Sequence, residues 1–446
     1  MLKLKDKILL VGQGAREHAI AKSLKKSEIE LYAFMSAINP GIAKLSSKIK
    51  IANLNDYNAL NEFVTECKPN IAVIGPENPL GDGIVDFLQE KKIAVIGPTK
   101  ALAKIETSKA FTREVMLKYQ IPGLPEYKVF KPNTDKKLIN DYVKKIGKVV
   151  VKRDGLASGK GVKLMGEHLK DIEEVLNFCS EVFQKGESVV IEELLEGEEF
   201  SLQCFVSGED VVATPIAQDH KRAFEGDIGP NTGGMGSYSA ENHLLPFISE
   251  KIVNQAKEIV SKTAKAIKKE TGFDYVGILY RGFMLTAKGL KLLEFNARFG
   301  DPEVINILPL LETPLLEIFK AMIARKLNKL KINFSHKATV CKYLVPEGYP
   351  ELPKKDQPIF IEEEKIPKKN IELYYASVKE VAPNKIITTT SRAIAIVGIA
   401  ESIENAEQKV EKAMAFVNGP LTHRKDIGTK KLIQKRIDHL KELKVL

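Results

Sequence analysis

The sequence Ile-Ala-Val-Ile-Gly-Pro at residues 71–76 decides the class of fold, because it recurs unchanged at residues 93–98. Each copy is a continuous apolar run closed by a Gly-Pro turn, which is typical of a buried parallel strand. Residues 82–90 between the copies have helical spacing, so the segment predicts a strand-helix-strand unit. Ligands bind beyond the carboxyl ends of such strands. Glu77, directly after the first turn, is therefore either a ligand contact or a plain surface acid.

The chain begins with the same alternation of strand and helix. An apolar run at residues 7–11 leads through Gly12 and Gly14 into a helical pattern. The dinucleotide-binding fingerprint requires a third glycine where Glu17 stands, which argues against NAD. The helix start at Arg16 could instead hold an anion or a sugar phosphate, and a purely structural turn is the alternative.

Length and composition limit the class of protein. A chain of 446 residues corresponds to about three domains of roughly 150 residues each. No apolar run approaches the roughly 18 residues of a membrane span, and four scattered cysteines without a CxxC pair suit the reducing cytoplasm. The net charge of +10 favours anionic small molecules. Because the lysines are scattered, it does not favour nucleic acid.

A glycine-rich hairpin is predicted in the middle of the chain. The apolar strand at residues 149–152 ends in Lys152, and a loop with Gly155, Gly159 and Gly161 joins it to a second strand. The glycine spacing does not match the Walker A pattern. Backbone N–H groups at the glycines and the ammonium group of Lys152 would still suit a phosphate. A flexible hairpin without a ligand is the alternative.

A dense group of acids follows the next apolar strand, at residues 188–195. Its members are Glu192, Glu193, Glu196, Glu198 and Glu199. Carboxylates would repel phosphate groups, but they are good acceptors for an adenine amino group or ribose hydroxyls. The group therefore indicates either the nucleoside end of a nucleotide site or a solvated acidic loop.

Residues 291–298, Lys-Leu-Leu-Glu-Phe-Asn-Ala-Arg, carry the strongest chemical signal. In a strand, Glu294, Asn296 and Arg298 share one face because residues two apart point the same way. A carboxylate and an amide oxygen are hard ligands that suit Mg²⁺, and an arginine beside them can bind phosphate through two hydrogen bonds. A solvent-facing sheet surface is the alternative. On the opposite face of the strand, three residues would point into the core: Leu293, Phe295 and Ala297.

Residues 218–237 form a glycine-rich segment that predicts a long irregular loop. The segment contains Asp219, Lys221, Arg222 and Asn231, whose side chains could bind an amine, a carboxylate and a phosphate. It is therefore interpreted as a loop that covers a substrate, with disorder as the alternative.

Two further patterns concern the C-terminal side of this region and the type of catalysis. Asp301 and Pro302 predict the start of a helix with Asp301 as its N-cap. The chain has no Gly-x-Ser-x-Gly motif and no His-x-x-x-His spacing, so covalent catalysis is not indicated. Phosphoryl transfer fits better, because it requires positioning and charge neutralisation more than a protein nucleophile.

Taken in order, these segments resemble the phosphoribosylamine-glycine ligase family, also called glycinamide ribonucleotide synthetases, of the ATP-grasp superfamily. The resemblance spans nearly the whole chain and is carried by residues 12–19, 75–77, 108–111, 154–162, 218–222, 229–236, 294–303 and 424–428. It implies a multidomain α/β and α+β protein. A Rossmann-like parallel sheet would occupy residues 1–108, an ATP-grasp core of two α+β halves residues 109–333 with a small lid at about 126–196, and an α+β domain residues 334–446.

The resemblance also implies the residues of the site. ATP would contact Lys109, Lys152, Gly155, Ser158, Gly159, Lys160, Gly161, Glu192, Glu193, Leu195 and Glu199. Mg²⁺ or Mn²⁺ would be held by Glu294 and Asn296, and Arg298 and Asp219 would be catalytic. The substrates would contact Gly14, Arg16, Glu77, Asp219, Lys221, Arg222, Asn231, Thr232, Gly233, Gly234, Met235, Gly236, Arg298 and Asp301. The chain departs from the family pattern at Ala15, where a glycine is common, and it lacks an acid on the strand before Glu294.

The reaction implied by the resemblance belongs to purine biosynthesis. ATP, glycine and 5-phosphoribosylamine would give glycinamide ribonucleotide, ADP and phosphate through glycyl phosphate. The protein would be a cytoplasmic monomer or weak homodimer that binds neither nucleic acid nor membrane. The alternatives are another ATP-grasp carboxylate-amine ligase or a carboxylase and, from a different class, a nucleotide-sensing or nucleic-acid-binding protein.

Overall fold

A five-stranded parallel sheet forms the first part of the structure, a computed structural model that describes residues 5–156, 161–383 and 385–445. Its elements are β1 (Asp6–Val11), α1 (Ala15–Leu24), β2 (Ile29–Met35), α2 (Pro40–Leu45), β3 (Lys48–Ile51), α3 (Tyr57–Cys67), β4 (Ile71–Ile74), α4 (Glu77–Asp82), α5 (Ile84–Glu90), β5 (Ala94–Ile96), α6 (Lys100–Thr107) and α7 (Lys109–Lys118). The strand order is β3-β2-β1-β4-β5. The repeated sequence forms β4 and β5, which pair in parallel as predicted. The helix between them is divided at Gly83, whose φ is +99°.

A small antiparallel sheet, here called the lid sheet, comes next. Its elements are β6 (Tyr127–Phe130), α8 (Lys136–Ile146), β7 (Val149–Arg153), β8 (Val162–Leu164), α9 (Ile172–Gln184) and β9 (Val189–Glu193). The strand order is β6-β9-β7-β8, and the antiparallel pairing of β7 with β8 confirms the glycine-rich hairpin. Its buried side chains, including Val149, Val151 and Ile191, form a hydrophobic cluster of their own.

A second antiparallel sheet, the core sheet, faces the lid sheet. The elements of this region are β10 (Gly197–Ser207), β11 (Asp210–Ala213), β12 (Gln218–Asp219), β13 (Arg222–Phe224), β14 (Ile228–Asn231), β15 (Gly236–Ser239), α10 (Glu250–Thr271), β16 (Val276–Thr286), β17 (Gly289–Asn296), α11 (Glu303–Ile307) and α12 (Leu315–Ile323). The core sheet has the order β11-β10-β16-β17. The prediction of a long irregular loop at residues 218–237 is wrong, because the segment contains β12, the β13-β14 hairpin and the start of β15.

A bulge changes which side chains of β17 face the core. Gly282 pairs with Glu294 and Phe283 pairs with Leu292, so Leu293 has no partner in the register. Leu292 is therefore buried and Leu293 only partly so, which corrects the prediction that Leu293 is a core residue. Glu294 and Asn296 lie beyond the bulge and keep their predicted alternation.

The last part of the chain forms two more antiparallel sheets. Its elements are β18 (Ala338–Pro346), β19 (Pro358–Ile361), β20 (Ile371–Tyr375), β21 (Val378–Ala382), β22 (Lys385–Thr388), β23 (Ile394–Ala400), α13 (Ile403–Met414), β24 (Val417–Asn418), β25 (Leu421–Thr422) and α14 (Lys430–Glu442). One sheet has the order β12-β15-β18-β23-β20 with β25 beside β18, and the other β21-β22-β19-β24. Strands from both sides of residue 333 therefore share a sheet, and the predicted domain limits stay predictions.

The main hydrophobic core is continuous between the first sheet, the core sheet and the C-terminal sheet. It includes Ile8 on β1, Phe205 on β10 and Ile396 on β23, whereas the lid keeps its separate cluster. This arrangement confirms the predicted multidomain α/β and α+β architecture. Among the described helices, none combines the length and the apolar character needed to cross a membrane.

Candidate active site

Two lysines lie between the lid sheet and the core sheet. The ammonium group of Lys152, near the end of β7, lies 2.7 Å from Glu192 Oε2 and donates to the Leu293 carbonyl over 3.1 Å. Lys109, at the start of α7, donates to the Gly155 carbonyl over 2.8 Å. Burial lowers the pKa of both lysines although acids lie nearby. An anion that entered this space would stabilise their charged forms.

Glu192 belongs to the wall of this cleft. Its carboxylate accepts from Arg113 Nε over 2.6 Å and from Arg113 NH2 over 3.1 Å, in addition to the contact with Lys152. Burial alone would raise the pKa of Glu192, but Arg113 and Lys152 lower it to about 2. Because both carboxylate oxygens already have cationic partners, the predicted contact of Glu192 with ATP stays a prediction.

The other acids predicted at the nucleoside end also have partners. Glu193 Oε1 accepts from the Glu126 backbone N–H over 3.0 Å. Glu199 Oε2 accepts from Lys221 Nζ over 2.8 Å, and Leu195 between them is half-buried. The contacts of these residues with ATP stay predictions.

The glycine-rich hairpin has the backbone conformation that glycine permits. Gly155 has a φ of +115°, and no atom of the described residues lies within 4 Å of the position that a Cβ would take there. The Gly161 carbonyl accepts from the Arg153 N–H over 2.8 Å at the base of the hairpin. Three predicted ATP contacts, Ser158, Gly159 and Lys160, lie outside the described residues.

Glu294 is the centre of a positively charged group of side chains. Burial alone would raise its pKa, but Lys221, Lys109, Lys152 and Arg298 together lower it below the ordinary value. Four cationic side chains from separate segments of the chain therefore favour the ionised form of this carboxylate.

Asn296, two residues further along β17, completes a pair of oxygen donors. With its amide nitrogen toward Glu106 it donates to Glu106 Oε1 over 2.8 Å and to the Phe295 carbonyl over 3.2 Å. In the opposite orientation the amide oxygen would face Glu106 Oε1 and the Phe295 carbonyl, which are also acceptors. Oδ1 is then the free end of the amide, so Glu294 and Asn296 fit a hard divalent cation such as Mg²⁺ that shares its coordination with nucleotide phosphates.

Two arginines meet where the first sheet joins the core sheet. Arg298 Nε donates to Glu77 Oε2 over 3.2 Å, and Arg16 NH1 lies 3.8 Å from the same oxygen. Both guanidinium groups also donate to the Phe299 carbonyl, over 3.2 and 3.3 Å. Arg298 lowers the pKa of Glu77 to about 2, whereas burial raises the pKa of Glu106 to about 7. The paired guanidinium groups could hold a carboxylate or a phosphate.

The opening glycine turn is filled by the protein itself. Glu17 Oε2 accepts from the Gly14 N–H over 2.5 Å, and Glu17 Oε1 accepts from Arg16 Nε over 2.6 Å. A Cβ at Gly75 would lie 2.0 Å from Glu17 Oε1. The anion at this turn is thus an internal carboxylate, which favours the structural reading of the motif. The substrate contact of Gly14 stays a prediction.

The half-buried Asp219 and the buried Glu303 are two acids that interact electrostatically. Asp219 Oδ1 and Glu303 Oε1 have no hydrogen-bond partner among the described residues. Burial and the nearby Glu303 raise the pKa of Asp219, and burial also raises that of Glu303. A Cβ at Gly234 would lie 2.6 Å from Asp219 Oδ1. These acceptor atoms suit an ammonium or amine group.

Hydrogen bonds hold most of the predicted substrate segment in place. Thr232 Oγ1 donates to the Lys221 carbonyl over 2.8 Å and accepts from the Gly234 N–H over 3.0 Å. Arg222 NH2 donates to Glu167 Oε2, on the lid, over 2.7 Å. The remaining predicted residues are Asn231 and Gly233, which are exposed, and Met235 and Gly236, which are buried. Their substrate contacts stay predictions.

Asp301 does not cap the helix that follows it, so that prediction is wrong. Helix α11 begins at Glu303 with Pro302 in the N-cap position. Asp301 Oδ1 instead accepts from the Tyr343 hydroxyl over 2.5 Å, and its Oδ2 lies 3.1 Å from Arg392 NH2. Partners from the C-terminal part of the chain therefore hold the Asp301 carboxylate beside the substrate segment.

Four residues that the sequence analysis did not single out belong to the site: Glu106, Arg113, Glu303 and Arg392. Arg392 NH1 donates to the Gly233 carbonyl over 2.6 Å and to the Gly234 carbonyl over 2.9 Å. Arg113 lies one helical turn after Lys109, so its position on the same helix face could have identified it. Arg392 offers no such signal, because about 160 residues separate it from the glycines that it contacts.

Comparison with known protein families divides the chain into three matched segments. Family models described as the N, ATP-grasp (A) and C domains of phosphoribosylglycinamide synthetase match residues 6–106, 107–304 and 339–430. The phosphoribosylamine-glycine ligase of Methanocaldococcus jannaschii is 49% identical over 444 residues, which cover 98% of this chain and 100% of that protein.

Two solved structures are similar over most of the chain. The crystal structure of a phosphoribosylamine-glycine ligase from Thermotoga maritima has a TM-score of 0.78 at 29% identity and covers 94% of this chain and 100% of that one. The biotin carboxylase domain of a Hydrogenobacter thermophilus 2-oxoglutarate carboxylase has a TM-score of 0.73 at 15% identity and covers 99% and 98%. The second likeness concerns the fold alone.

Two facing sheets with lysines between them, together with the matched central domain, define an ATP-grasp protein. Within that class the sequence likeness is more specific. The chain belongs to the phosphoribosylglycinamide synthetase family, whose members are phosphoribosylamine-glycine ligases.

Proposed function

We propose that the chain is an ATP-dependent ligase of purine biosynthesis that joins glycine to 5-phosphoribosylamine and releases glycinamide ribonucleotide, ADP and phosphate. The observation that carries this proposal is the convergence of Lys109, Lys152, Lys221 and Arg298 on the ionised Glu294 in one cleft. Such a cluster neutralises a triphosphate and leaves one carboxylate to share a divalent cation with it.

In the first step the glycine carboxylate attacks the γ-phosphorus of ATP, the bond to the β–γ bridging oxygen breaks, and glycyl phosphate forms as ADP leaves. Lys109 and Lys152 neutralise the phosphate oxygens. Because burial lowers the pKa of both lysines, an anionic partner would stabilise their charged forms. Glu294 and Asn296 would hold Mg²⁺ or Mn²⁺, which supplies charge neutralisation on the transferring phosphoryl group when bound. Arg298 and Arg16 orient the carboxylate, because their guanidinium groups meet at the edge of the cleft.

In the second step the amine of phosphoribosylamine displaces phosphate. Asp219 and Glu303 present unpartnered acceptor oxygens that can bind an ammonium or amine group of a substrate. The mixed anhydride must be kept from water, and the contact between Arg222 on the β13-β14 hairpin and Glu167 on the lid covers the cleft from two sides. Thr232, Gly233 and Gly234 then line the covered substrate.

The test is phosphate release from ATP and Mg²⁺ with glycine and freshly made phosphoribosylamine, supplied separately and together. We expect rapid release only with both substrates, and glycinamide ribonucleotide in stoichiometric amount by mass spectrometry. Release with bicarbonate alone would indicate a carboxylase. No release with both substrates, with nucleotide binding retained, would indicate a nucleotide sensor. Either result would overturn the proposal.

The proposed reaction also bears on the location, the partners and the oligomeric state of the protein. Small diffusible substrates and a reducing environment for four buried cysteines favour the cytoplasm. No nucleic acid or membrane enters the reaction, and the proposed substrate contacts all come from one chain, as expected of a monomer or weak homodimer. Sedimentation with and without about 0.5 M salt would test the oligomeric state, because salt at this concentration screens most surface electrostatics.

A further inference from the structure

Glu106 joins the helix before Lys109 to the end of the strand that carries the proposed cation ligands. It lies on α6, and only 8% of the residue is exposed. Its Oε2 accepts from the Ala297 N–H over 2.7 Å, and its Oε1 lies 3.3 Å from Arg298 NH2. With the Asn296 amide turned so that its nitrogen faces Glu106, the same Oε1 accepts from that nitrogen over 2.8 Å. One carboxylate thus contacts three consecutive residues.

These contacts determine which end of the Asn296 amide is free. Oε2 accepts from the Ala297 N–H and Oε1 lies beside the Arg298 guanidinium group, so both oxygens act as acceptors, and Oε1 pairs with the Nδ2 of Asn296 rather than with its Oδ1. Oδ1 is the atom that a divalent cation would bind. The Ala297 N–H fixes the carboxylate, because a backbone donor cannot rotate away from it.

We propose that Glu106 is a positioning residue that orients Asn296 with its oxygen toward the bound cation and holds Arg298 beside it. The inference rests on the proposed function, since it requires that Asn296 binds a divalent cation. Groups that orient metal ligands from behind typically contribute about 10- to 100-fold to metal affinity.

The sequence position of Glu106 adds a mechanical reason. Two residues separate it from Lys109, whose ammonium group contacts the hairpin loop of the lid. The short link between α6 and α7 therefore carries both Glu106 and Lys109. A shift of this link would move the phosphate-binding lysine and the orienting carboxylate together.

The variant Glu106→Gln tests the proposal with little change in volume. A glutamine offers one acceptor oxygen and one amino group, so it cannot accept from both the Ala297 N–H and the Asn296 amide. We expect the dissociation constant of Mn²⁺, measured by electron paramagnetic resonance with a non-hydrolysable ATP analogue, to rise at least about tenfold. Glu106→Asp keeps two acceptor oxygens and should recover part of the affinity. Glu90→Gln, at an exposed position on α5, is the control.

A merely structural role would give a different pattern. It would lower the melting temperature of the metal-free protein and weaken nucleotide binding equally with and without Mn²⁺. That pattern, or an unchanged Mn²⁺ affinity in Glu106→Gln, would overturn the positioning role. Failure of the unsubstituted protein to bind Mn²⁺ with nucleotide, or to make glycinamide ribonucleotide, would instead count against the proposed function itself.

Discussion

Arg113 binds Glu192 through two parallel hydrogen bonds, with Nε–Oε1 at 2.6 Å and NH2–Oε2 at 3.1 Å, while both side chains are only 3% exposed. Arg113 NH2 also donates to the Leu293 carbonyl over 2.8 Å, so it ties the lid sheet to the core sheet. Removal of Arg113 leaves the buried Glu192 carboxylate with Lys152 as its remaining cationic partner, and loss of one member of a buried ion-pair group is strongly destabilising. Arg113→Met should therefore lower the free energy of unfolding by about 3–5 kcal/mol in urea titrations. Unchanged stability would mean that Lys152 alone compensates Glu192.

Glu294→Ala should collapse turnover. The substitution removes the carboxylate that four cations surround and that would share a divalent cation with ATP. We expect kcat for phosphate release to fall by roughly 100-fold or more at saturating nucleotide, because charge on the transferring phosphoryl group is no longer neutralised. Glu241→Ala, at an exposed site, should retain full activity. A normal kcat at saturating Mg²⁺ would refute the metal-binding role.

Arg424→Ala should release the β13-β14 hairpin. Arg424 donates to Asp227 Oδ1 over 2.8 Å and to the Arg222 carbonyl over 3.0 Å, and Asp426 beside it accepts from the Gly226 N–H over 2.8 Å. Without the two Arg424 bonds the hairpin has fewer contacts with the C-terminal segment, where Arg436 NH2 still donates to Asp227 Oδ2 over 2.7 Å and Lys435 Nζ to the Gly226 carbonyl over 2.9 Å.

Trypsin cleavage after Lys221 and Arg222, followed by mass spectrometry, should be several-fold faster in Arg424→Ala, because cleavage requires local opening. The KM for phosphoribosylamine should rise as well. Lys441→Ala on the exposed face of α14 is the control. Equal cleavage rates in both variants would show that other contacts hold the hairpin.

His18 makes stability depend on pH. Its Nδ1 accepts from the Tyr375 N–H over 3.0 Å, and burial, with help from Lys22 and Lys44, lowers its pKa to about 3. Between the ordinary pKa of about 6.5 and this value, the unfolded chain binds a proton that the folded one excludes. His18 therefore stabilises the fold fully above pH 6.5 and progressively less as the pH falls toward 3.

The loss should reach about 2 kcal/mol between pH 6.5 and pH 5, at about 1.4 kcal/mol per pH unit. His18→Asn should be less stable at pH 7.5 but should lack this part of the pH slope in urea titrations. His336→Asn, at an exposed histidine, is the matched control. Parallel slopes for His18→Asn and the unsubstituted protein would contradict the assignment.

Substitution of Arg281 should raise the free energy of unfolding, whereas substitution of Arg113 should lower it. Its guanidinium group is fully buried, none of its three nitrogens has a partner among the described residues, and it lies 4.0 Å from the centre of the Phe295 ring. Burial lowers its pKa to about 9. Arg281→Met keeps the volume and removes the unpaired charge, so the free energy of unfolding should rise by about 1–4 kcal/mol. A loss of stability would show that the contact with the ring outweighs the cost of burial.

Local patterns predicted the elements that depend on near neighbours. The repeated apolar hexapeptide forms two parallel strands, and the glycine-rich hairpin joins two antiparallel ones, because strand periodicity and turn residues act over a few positions. The alternation of Glu294 and Asn296 was correct for the same reason. The burial of Leu293 was not, because the bulge depends on the register with β16.

Partners far apart in the chain could not be read from such patterns. Residues 218–237 looked irregular, yet β15 pairs with β18 about one hundred residues later. Asp301 had the local context of an N-cap, but Tyr343 and Arg392 bind its carboxylate instead. The glycine turn suggested an external anion, and the side chain of Glu17 takes that place.

By itself, the sequence determined the kinds of elements, the family and the residue types that could bind ATP and a divalent cation. The tertiary structure decided which of those charges already have partners: Arg113 and Lys152 neutralise Glu192, the Asn296 amide lies beside Glu106, and Asp219 Oδ1 and Glu303 Oε1 have no hydrogen-bond partner among the described residues. The reason is physical. Periodicity follows from the geometry of a single strand or helix, whereas the state of a buried charge depends on every group that folding brings within a few ångströms of it.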